Sequence, residues 1–388
     1  MTITNGTAKA TQVKDLEILP VTDNQKATPK KTKRESKNPL TEVNLTLDAG
    51  SKRIKFLLDG YETTIDSVYK QVKGDLPSGS AGCFSYKDKN YYVGRGCDSV
   101  IGTLVEGQKD NKIKKLDIWL IGALTSDTDF LDDLIEDTRN RYKSKPIRLS
   151  INLKLLSLSS SKMGDIKKIL ESIEVFTYRN REFSVEFQDL KKDFIFDEGY
   201  GAALTAKTQI PENIREFSIL DLGGGTLTLT TYKCGRRLPK RDNRTVASGG
   251  GMQNLASKIF ISFNKNDKGG ETKSLESIFE ALKACKSTDN GFMVPYRFGA
   301  ETVDIKEECI DGLNYWVTDN PSIGNILTKA SQILVNGGYV FATGGGFASI
   351  AIADWIKGKL IASIDNPHFQ ILENPHIINV TGMQLLDK

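Results

Sequence analysis

Two stretches of this 388-residue chain follow one plan. "VNLTLDAGSKRIKFLLDG" (43–60) and "FSILDLGGGTLTLTTY" (217–232) each pass from apolar residues to an aspartate, a glycine turn and a second strand-like stretch. Phe217 to Leu220 reads as a buried strand and Thr226 to Tyr232 alternates with period 2, so the turn joins strand to strand. Glycine tolerates positive φ and lets a ligand approach the main chain. Exposed N–H groups in such a turn form a concavity for anions. Asp221, at the strand end, stands where a hydrated cation would sit beside that anion. One such hairpin is equally a glycine-rich turn with a solvated aspartate. Two of them, with Asp48 and Asp221 173 positions apart, point to a duplicated architecture with one gripping hairpin in each half.

Composition narrows the classes. The chain is long enough for two or more domains, and its 39% hydrophobic and 26% charged residues suit an ordinary globular protein. No apolar run approaches the ~20 residues of a membrane helix, and the N-terminus has no apolar segment of a secretory signal. Cys83, Cys97, Cys234, Cys285 and Cys309 are odd in number and scattered. They are expected to be reduced thiols in a cytoplasm, without a zinc site or disulfide framework. The only histidines, His368 and His376, are expected to be surface or partly buried polar residues, which argues against histidine catalysis.

Charge is unevenly placed. Residues 1–40 hold eight Lys/Arg and four acids, so they carry the whole net charge of +4. They are polar and without sustained periodicity, and are expected to form a disordered basic tail. Its run "KATPKKTKRESK" suits nucleic acid, an anionic membrane or an acidic partner, or serves only to solubilise. Order is expected to begin near Val43. "KNYYVGRGC" (89–97) and "PIRLSINLKLLSLS" (146–159) read as strands, and "DTDFLDDLIEDTRNRYK" (127–143) and "KSLESIFEALKACK" (273–286) as helices. "DIWLIGAL" (117–124) is ambiguous by periodicity, and "MGDIKKILESI" (163–173) reads as short helix or loop. "REFSVEFQDLKKDFIFDEG" (181–199) reads as strand followed by helix or strand. "TVDIKEECIDGLNYWVTDNPSIGNILTKASQIL" (302–334) is expected to be helical in pieces, and "SGGGMQNLASKIFISF" (248–263) to be a turn opening a helix. "GGYVFATGGGFASIAIADWIKGKL" (337–360) is a strand, three glycines and a helix. Strands alternate with helices, so the class is α/β.

Three glycine turns stand out: Asp48–Ser51, Asp221–Thr226 and Thr343–Gly346. A Rossmann site wants its glycines between a strand and a helix, whereas the first two turns join strands. The P-loop pattern is absent. The set resembles the actin-like ATPase superfamily, which includes actin, bacterial actin-like filaments, Hsp70 chaperones and sugar kinases. "LDAGSKRIKF" is similar to its first phosphate loop, "ILDLGGGTLTL" to its second, and "VFATGGGFASI" to its adenosine loop. "DEGYGAALTA" (197–206) is similar to the helix that crosses between the halves. The resemblance covers residues 43 to 388. The length and the closing "NPHIINVTGMQLL", with Asn379 and Gly382, resemble the plasmid-segregating ParM type most, as does "YYVGRGC".

The resemblance implies an actin-like fold of two duplicated α/β domains around a nucleotide cleft. Domain I would span 41–203 plus 368–388, and domain II 204–367. It implies ATP, or GTP, with Mg²⁺. Gly50, Ser51 and Lys55 would meet the β- and γ-phosphates, and Gly223, Gly224, Gly225 and Thr226 would wrap their other side. Gly344, Gly345 and Gly346 would admit adenine and ribose, with "SGGGMQ" (248–253) adding contacts near the ribose. Asp48 and Asp221 would hold Mg²⁺ through waters, and Glu198 would orient the attacking water. Glu198 also suits a helix-start acid favoured by the dipole. Two positions depart from the pattern: Lys52, usually small, and Gly199, usually proline.

The implied function is a cytoplasmic filament-forming ATPase that self-assembles head to tail. Its use would be plasmid or DNA segregation or a cytoskeletal role. The tail would recruit an adaptor protein, a DNA-bound complex or an anionic surface. The alternative is a small-molecule, sugar-type kinase of the same fold, which would need an acceptor pocket with its own catalytic acid. An Hsp70-like regulator would need a further substrate domain. A filament that binds nucleotide without using hydrolysis is a fourth reading.

Overall fold

Residues 40–50, 52–77, 79–107, 112–126, 128–139, 145–156, 158, 160–190, 193–235, 238–265, 274–289, 291–362 and 364–387 are described by a computed structural model of the chain. The basic segment before residue 40, and Ser51, lie outside these residues.

Both glycine-turn hairpins become the centres of sheets. The first sheet contains β1 (Leu40–Ala49), β2 (Arg53–Leu58), β3 (Tyr61–Asp66), β4 (Val68–Val72), β5 (Cys83–Tyr86), β6 (Lys89–Val93), β7 (Gly102–Glu106), β8 (Ile147–Leu156), β9 (Val175–Tyr178), β10 (Arg181–Phe187) and β11 (Ile195–Phe196). Its order is β3-β2-β1-β8-β10-β9-β5-β6-β4-β7, with β11 beside β8. The second sheet begins with β12 (Glu216–Leu222), β13 (Thr226–Cys234) and β14 (Pro239–Ser248). Two small hairpins follow: β15 (Lys286–Thr288) with β16 (Gly291–Met293), and β17 (Pro295–Phe298) with β18 (Glu301–Asp304). β19 (Val340–Thr343) and β20 (Phe369–Ile371) complete the second sheet, in the order β14-β13-β12-β19-β20.

One five-strand pattern occurs in both sheets. In β3-β2-β1-β8-β10 the first two pairings are antiparallel and the next two parallel. β14-β13-β12-β19-β20 repeats this. Parallel neighbours need a long crossover, usually helical. Here α1 (Leu116–Ser126) and α2 (Thr128–Arg139) lie between β1 and β8, and α3 (Met163–Glu171) follows β8. α4 (Tyr200–Lys207) links the two sheets in sequence. α5 (Met252–Lys265), α6 (Leu275–Lys283), α7 (Lys306–Thr318) and α8 (Pro321–Val335) lie between β12 and β19, before α9 (Ile350–Ile361) and α10 (Ile378–Thr381).

Each sheet carries its own core. Phe56, Trp119, Leu153 and Phe176 lie in the first, and Leu229, Ile259, Trp316 and Ile352 in the second. The ambiguous "DIWLIGAL" stretch is helical, and burial explains the ambiguity. Leu116 and Ile118 to Thr125 are all buried, so no polar face marks the helical period. Each Leu or Ile so buried contributes roughly 1.5–3 kcal/mol. Gly122 lets α1 press on β6, since a Cβ there would stand 2.6 Å from a Val93 methyl.

Four local readings resolve. Residues 163–171 are helical, 181–199 gives the two strands β10 and β11, and 302–304 belong to β18 rather than to a helix. The break between α7 and α8 is chemical: the Asn320 side chain caps Ser322 N–H at 3.2 Å, and Pro321 occupies the first turn. The polar strand β14 was not foreseen, because only one of its faces meets the core. All five cysteines are free, four of them buried. Burial pushes the Cys83 and Cys309 thiols up to about 12, which makes them inert packing groups. Among the described residues, no helix is long and apolar enough to cross a membrane.

Candidate functional site

The first turn is short and held from outside. Gly50 N–H bonds the Asp48 carbonyl at 2.9 Å, and a Cβ on Gly50 would fall 2.2 Å from the Arg53 carbonyl oxygen. Only glycine fits that reversal. Ser67 fastens it, its hydroxyl donating to the Gly50 carbonyl at 2.8 Å and its N–H to that of Lys52 at 2.9 Å. Strand register sets Lys55 directly opposite Asp48, and the two side chains approach to 3.9 Å. Asp48 is buried. The first hairpin therefore supplies a buried carboxylate with its own cation.

The second turn is more open. Gly223 N–H closes it on the Thr226 carbonyl at 3.0 Å. Gly223, Gly224, Gly225 and Thr226 are all half-buried, and a Cβ on Gly225 would meet nothing within 4 Å. "SGGGMQ" braces this turn from the main-chain side. Met252 and Gln253 N–H donate to the Gly223 and Gly224 carbonyls at 3.0 Å each, and a Cβ on Gly251 would strike Thr226 N at 2.4 Å. The first N–H groups of α5 are thus spent on the turn. The two turns face each other: a Cβ on Gly224 would stand 3.1 Å from Lys52 Cγ. The lysine that departs from the family pattern lies over the opposing glycine turn.

Asp221 ends β12 and sits opposite Thr228 on one side and Thr343 on the other, neither charged. Burial, then the Glu198 carboxylate, push its pKa up to about 6; Lys55 opposes the shift, Asp48 adds to it, and an Asn379 hydrogen bond opposes it. The third turn lies against this group. Gly344 adopts φ 95°, and a Cβ there would fall 2.3 Å from Asp221 Oδ1. Its N–H bonds the Pro375 carbonyl at 2.8 Å. Gly345 is exposed with open space around it, and Gly346 packs on Leu222. Of the three, Gly345 alone presents bare main chain to solvent.

Glu198 precedes α4 rather than lying within it. Gly199 caps that helix with φ 83°, which proline cannot adopt, so this departure has a backbone cause. Glu198 Oε2 accepts a hydrogen bond from Arg244, and Asp197 pairs with Arg241 at 2.7 Å, both arginines projecting from β14. The C-terminal segment closes the site from the other side. Asn379 Oδ1 accepts from Ala202 N–H at 3.4 Å. Gly201 and Gly382 allow main-chain contact there, since a Cβ on either would lie about 2 Å from a carbonyl oxygen.

Lys112 also enters the cluster. Its ammonium donates to the Ala49 carbonyl at 2.6 Å. Burial lowers its pKa, while Asp48 and Glu198 pull the other way. Three carboxylates (Asp48, Glu198, Asp221) are thus gathered with three cations (Lys55, Lys112, Arg244). Sequence reading missed Lys112, Arg244 and Ser67. Lys112 is one of several lysines in its segment, Arg244 lies on an unforeseen strand, and neither carries a motif.

The donor set fits Mg²⁺ held through its water shell. Two buried aspartates lie near the ends of β1 and β12, and the neutral Thr228 stands opposite Asp221 in its hairpin. Among the described residues no group of three His, Cys, Asp or Glu forms an all-protein cage. Mg²⁺ usually keeps several waters and takes one or two carboxylates besides phosphate. A groove of about 730 Å³ between α7, α8 and α9 contains no residue of the three turns.

No family model matches the chain, and no curated protein matches it. Solved structures do. An archaeal actin homologue superposes with TM-score 0.60 at 16% identity, covering 88% of this chain and 97% of its own. A 15-stranded ParM filament from Clostridium botulinum matches with TM-score 0.58 at 17% identity, covering 90% of this chain and 100% of its own. Bacillus thuringiensis ParM with AMPPNP matches with TM-score 0.54 at 13% identity, covering 89% and 98%. The repeated five-strand pattern and these end-to-end superpositions give one conclusion: this chain has the actin-like fold, in the form seen in ParM proteins and archaeal actin homologues.

Proposed function

We propose that the chain binds and hydrolyses a nucleoside triphosphate between its two aspartate hairpins, and that the bound state assembles head to tail into filaments. One observation carries this reading. The two glycine turns face each other through Lys52 and Gly224, with Asp48 and Asp221 near their strand ends, Glu198 acting on Asp221, and Glu198 and Asp48 both acting on Lys112. ATP is the expected nucleotide, with GTP the competitor. Neighbouring folds support it: one was solved as an ADP complex and another with AMPPNP. The filament structure among them supports self-assembly.

In this reading Gly50, Ser51 and Lys55 bind the phosphates from one side, and Gly223 to Thr226 from the other. Gly344 to Gly346 receive the adenosine. Asp48 and Asp221 would hold Mg²⁺, which when bound neutralises phosphate charge. Glu198 orients the attacking water through Oε1, because Arg244 fixes Oε2. Such catalysis is mostly positioning and charge stabilisation. Residues 41–203 with the C-terminal segment would form one jaw and 204–367 the other. The cellular role proposed is cytoplasmic movement or organisation of DNA, with the basic N-terminal segment recruiting an adaptor or anionic surface.

The test is pelleting and light scattering with ATP, ADP, GTP or no nucleotide, with phosphate release followed in the same tube. Nucleotide-dependent pelleting with phosphate release supports the proposal and ranks the nucleotides. Binding without assembly would move the reading to a small-molecule kinase. Glu198→Gln should still assemble with ATP while phosphate release falls about 100-fold or more, the scale of a lost general base. Unchanged release would remove Glu198 from the mechanism.

A further inference from the structure

Lys112 lies outside every motif, yet it reaches the centre of the cluster. Its ammonium bonds the carbonyl of Ala49, the residue between Asp48 and Gly50, at 2.6 Å. Its charged neighbours are Asp48 and Glu198, the former on the first hairpin and the latter on the segment entering α4. Lys55 reaches Asp48 from β2, across the hairpin. The two lysines therefore approach the same carboxylate from different elements.

Physical chemistry makes a purely structural role unsatisfactory. Lys112 is half-buried, and the Ala49 carbonyl alone does not recover the cost of desolvating an ammonium, so the charge leans on Asp48 and Glu198 as well. An ammonium carries three donors, and the Ala49 bond uses one. The remaining donors stand beside carboxylates that the proposed function gives to the cation and to the attacking water. In that reading the attacking water faces the terminal phosphate, the group that a diphosphate lacks.

We propose that Lys112 is the residue that recognises the terminal phosphate, so that it sets the preference for triphosphate over diphosphate while holding Ala49 and Gly50 in place. This rests on the nucleotide-site reading above. Lys55 then serves the inner phosphates. Lys112 would be a substrate-contacting cation supplied from the segment before α1, outside the sequence of both glycine turns.

The experiment measures dissociation constants for ADP and for a non-hydrolysable ATP analogue, each with Mg²⁺, on the full chain and on Lys112→Met, Lys112→Gln and Lys112→Arg. Melting temperatures verify folding. The expected result is a 10-fold or greater loss of analogue affinity in the Met and Gln variants, with ADP affinity within about 3-fold. Lys112→Arg, which keeps the charge, should recover most of the loss. Equal losses for both nucleotides would show a structural prop and overturn the proposal, as would no loss at all. Failure of Met and Gln to fold, with Arg folded but not preferring triphosphate, would overturn it too. If the unaltered chain binds neither nucleotide, the nucleotide-site reading itself falls. That outcome is distinct from one in which the chain binds both and the Lys112 variants bind as it does.

Discussion

The two aspartate hairpins share strand, turn and topology but differ in what stands opposite the carboxylate. Register places Lys55 across from Asp48, and Thr228 across from Asp221. The first carboxylate is neutralised within its own hairpin. The second depends on burial, on Asn379 and on the opposing Lys55, and its pKa is pushed up to about 6. The first turn is tight and the second open, since a Cβ at Gly50 would collide with main chain and one at Gly225 would not. The duplicated plan has thus produced one hairpin with a cation opposite its carboxylate and one with a neutral threonine there.

The largest expected effect breaks the symmetry between function and stability. Asp48→Asn and Asp221→Asn should each reduce nucleotide-driven phosphate release by about 100-fold or more, because each would remove a holder of the Mg²⁺ proposed to neutralise phosphate charge. Their stabilities should move in opposite directions at pH 7.5. Asp48→Asn leaves Lys55 without its partner and should destabilise by about 1–3 kcal/mol. Asp221→Asn removes an unfavourable buried charge and should stabilise by up to about 3 kcal/mol, the equivalent of a shift from 3.8 to about 6. Melting curves without nucleotide or metal decide it, and equal signs would end the comparison.

The Asp221 effect should also depend on pH in a defined direction. The folded carboxyl holds its proton more tightly than the unfolded one, so folding stability falls as pH rises from about 4 to about 6. The advantage of Asp221→Asn should therefore be near zero at pH 4 and complete above pH 6. A denaturant series across this range checks it, and a pH-independent gap would refute the assignment.

A smaller contrast concerns the turns. Gly50→Ala should cost about 1–3 kcal/mol through overpacking, and Gly225→Ala should stay within about 0.5 kcal/mol. Comparable losses would mean that the turns are equally tight. The smallest effect is expected at the exposed ion pair of Arg95 and Glu276 at 2.8 Å. Arg95→Ala should change stability by no more than about 0.5 kcal/mol, since exposed pairs contribute little.

Local chemistry is legible in a sequence, and here it carried the two hairpins. An apolar run, an aspartate and one or more glycines specify strand, strand end and turn from near neighbours alone. The third glycine turn, the α/β alternation and the strongly amphipathic helices were readable for the same reason. α1 was not, because burial on all sides erases its polar face. β14 was not, because a strand with one polar face on a sheet edge resembles a loop. The site divides the same way. Asp48, Asp221, Glu198 and the glycines announce themselves through motif and spacing. Lys112, Arg244 and the contacts of Asn379 arise from residues far apart in the chain, and only folding brings them to the same carboxylates. The sequence by itself therefore determined the α/β class and the two aspartate hairpins. The tertiary structure decided which charges meet between them, because side-chain electrostatics falls off over a few ångströms of space and takes no account of distance along the chain.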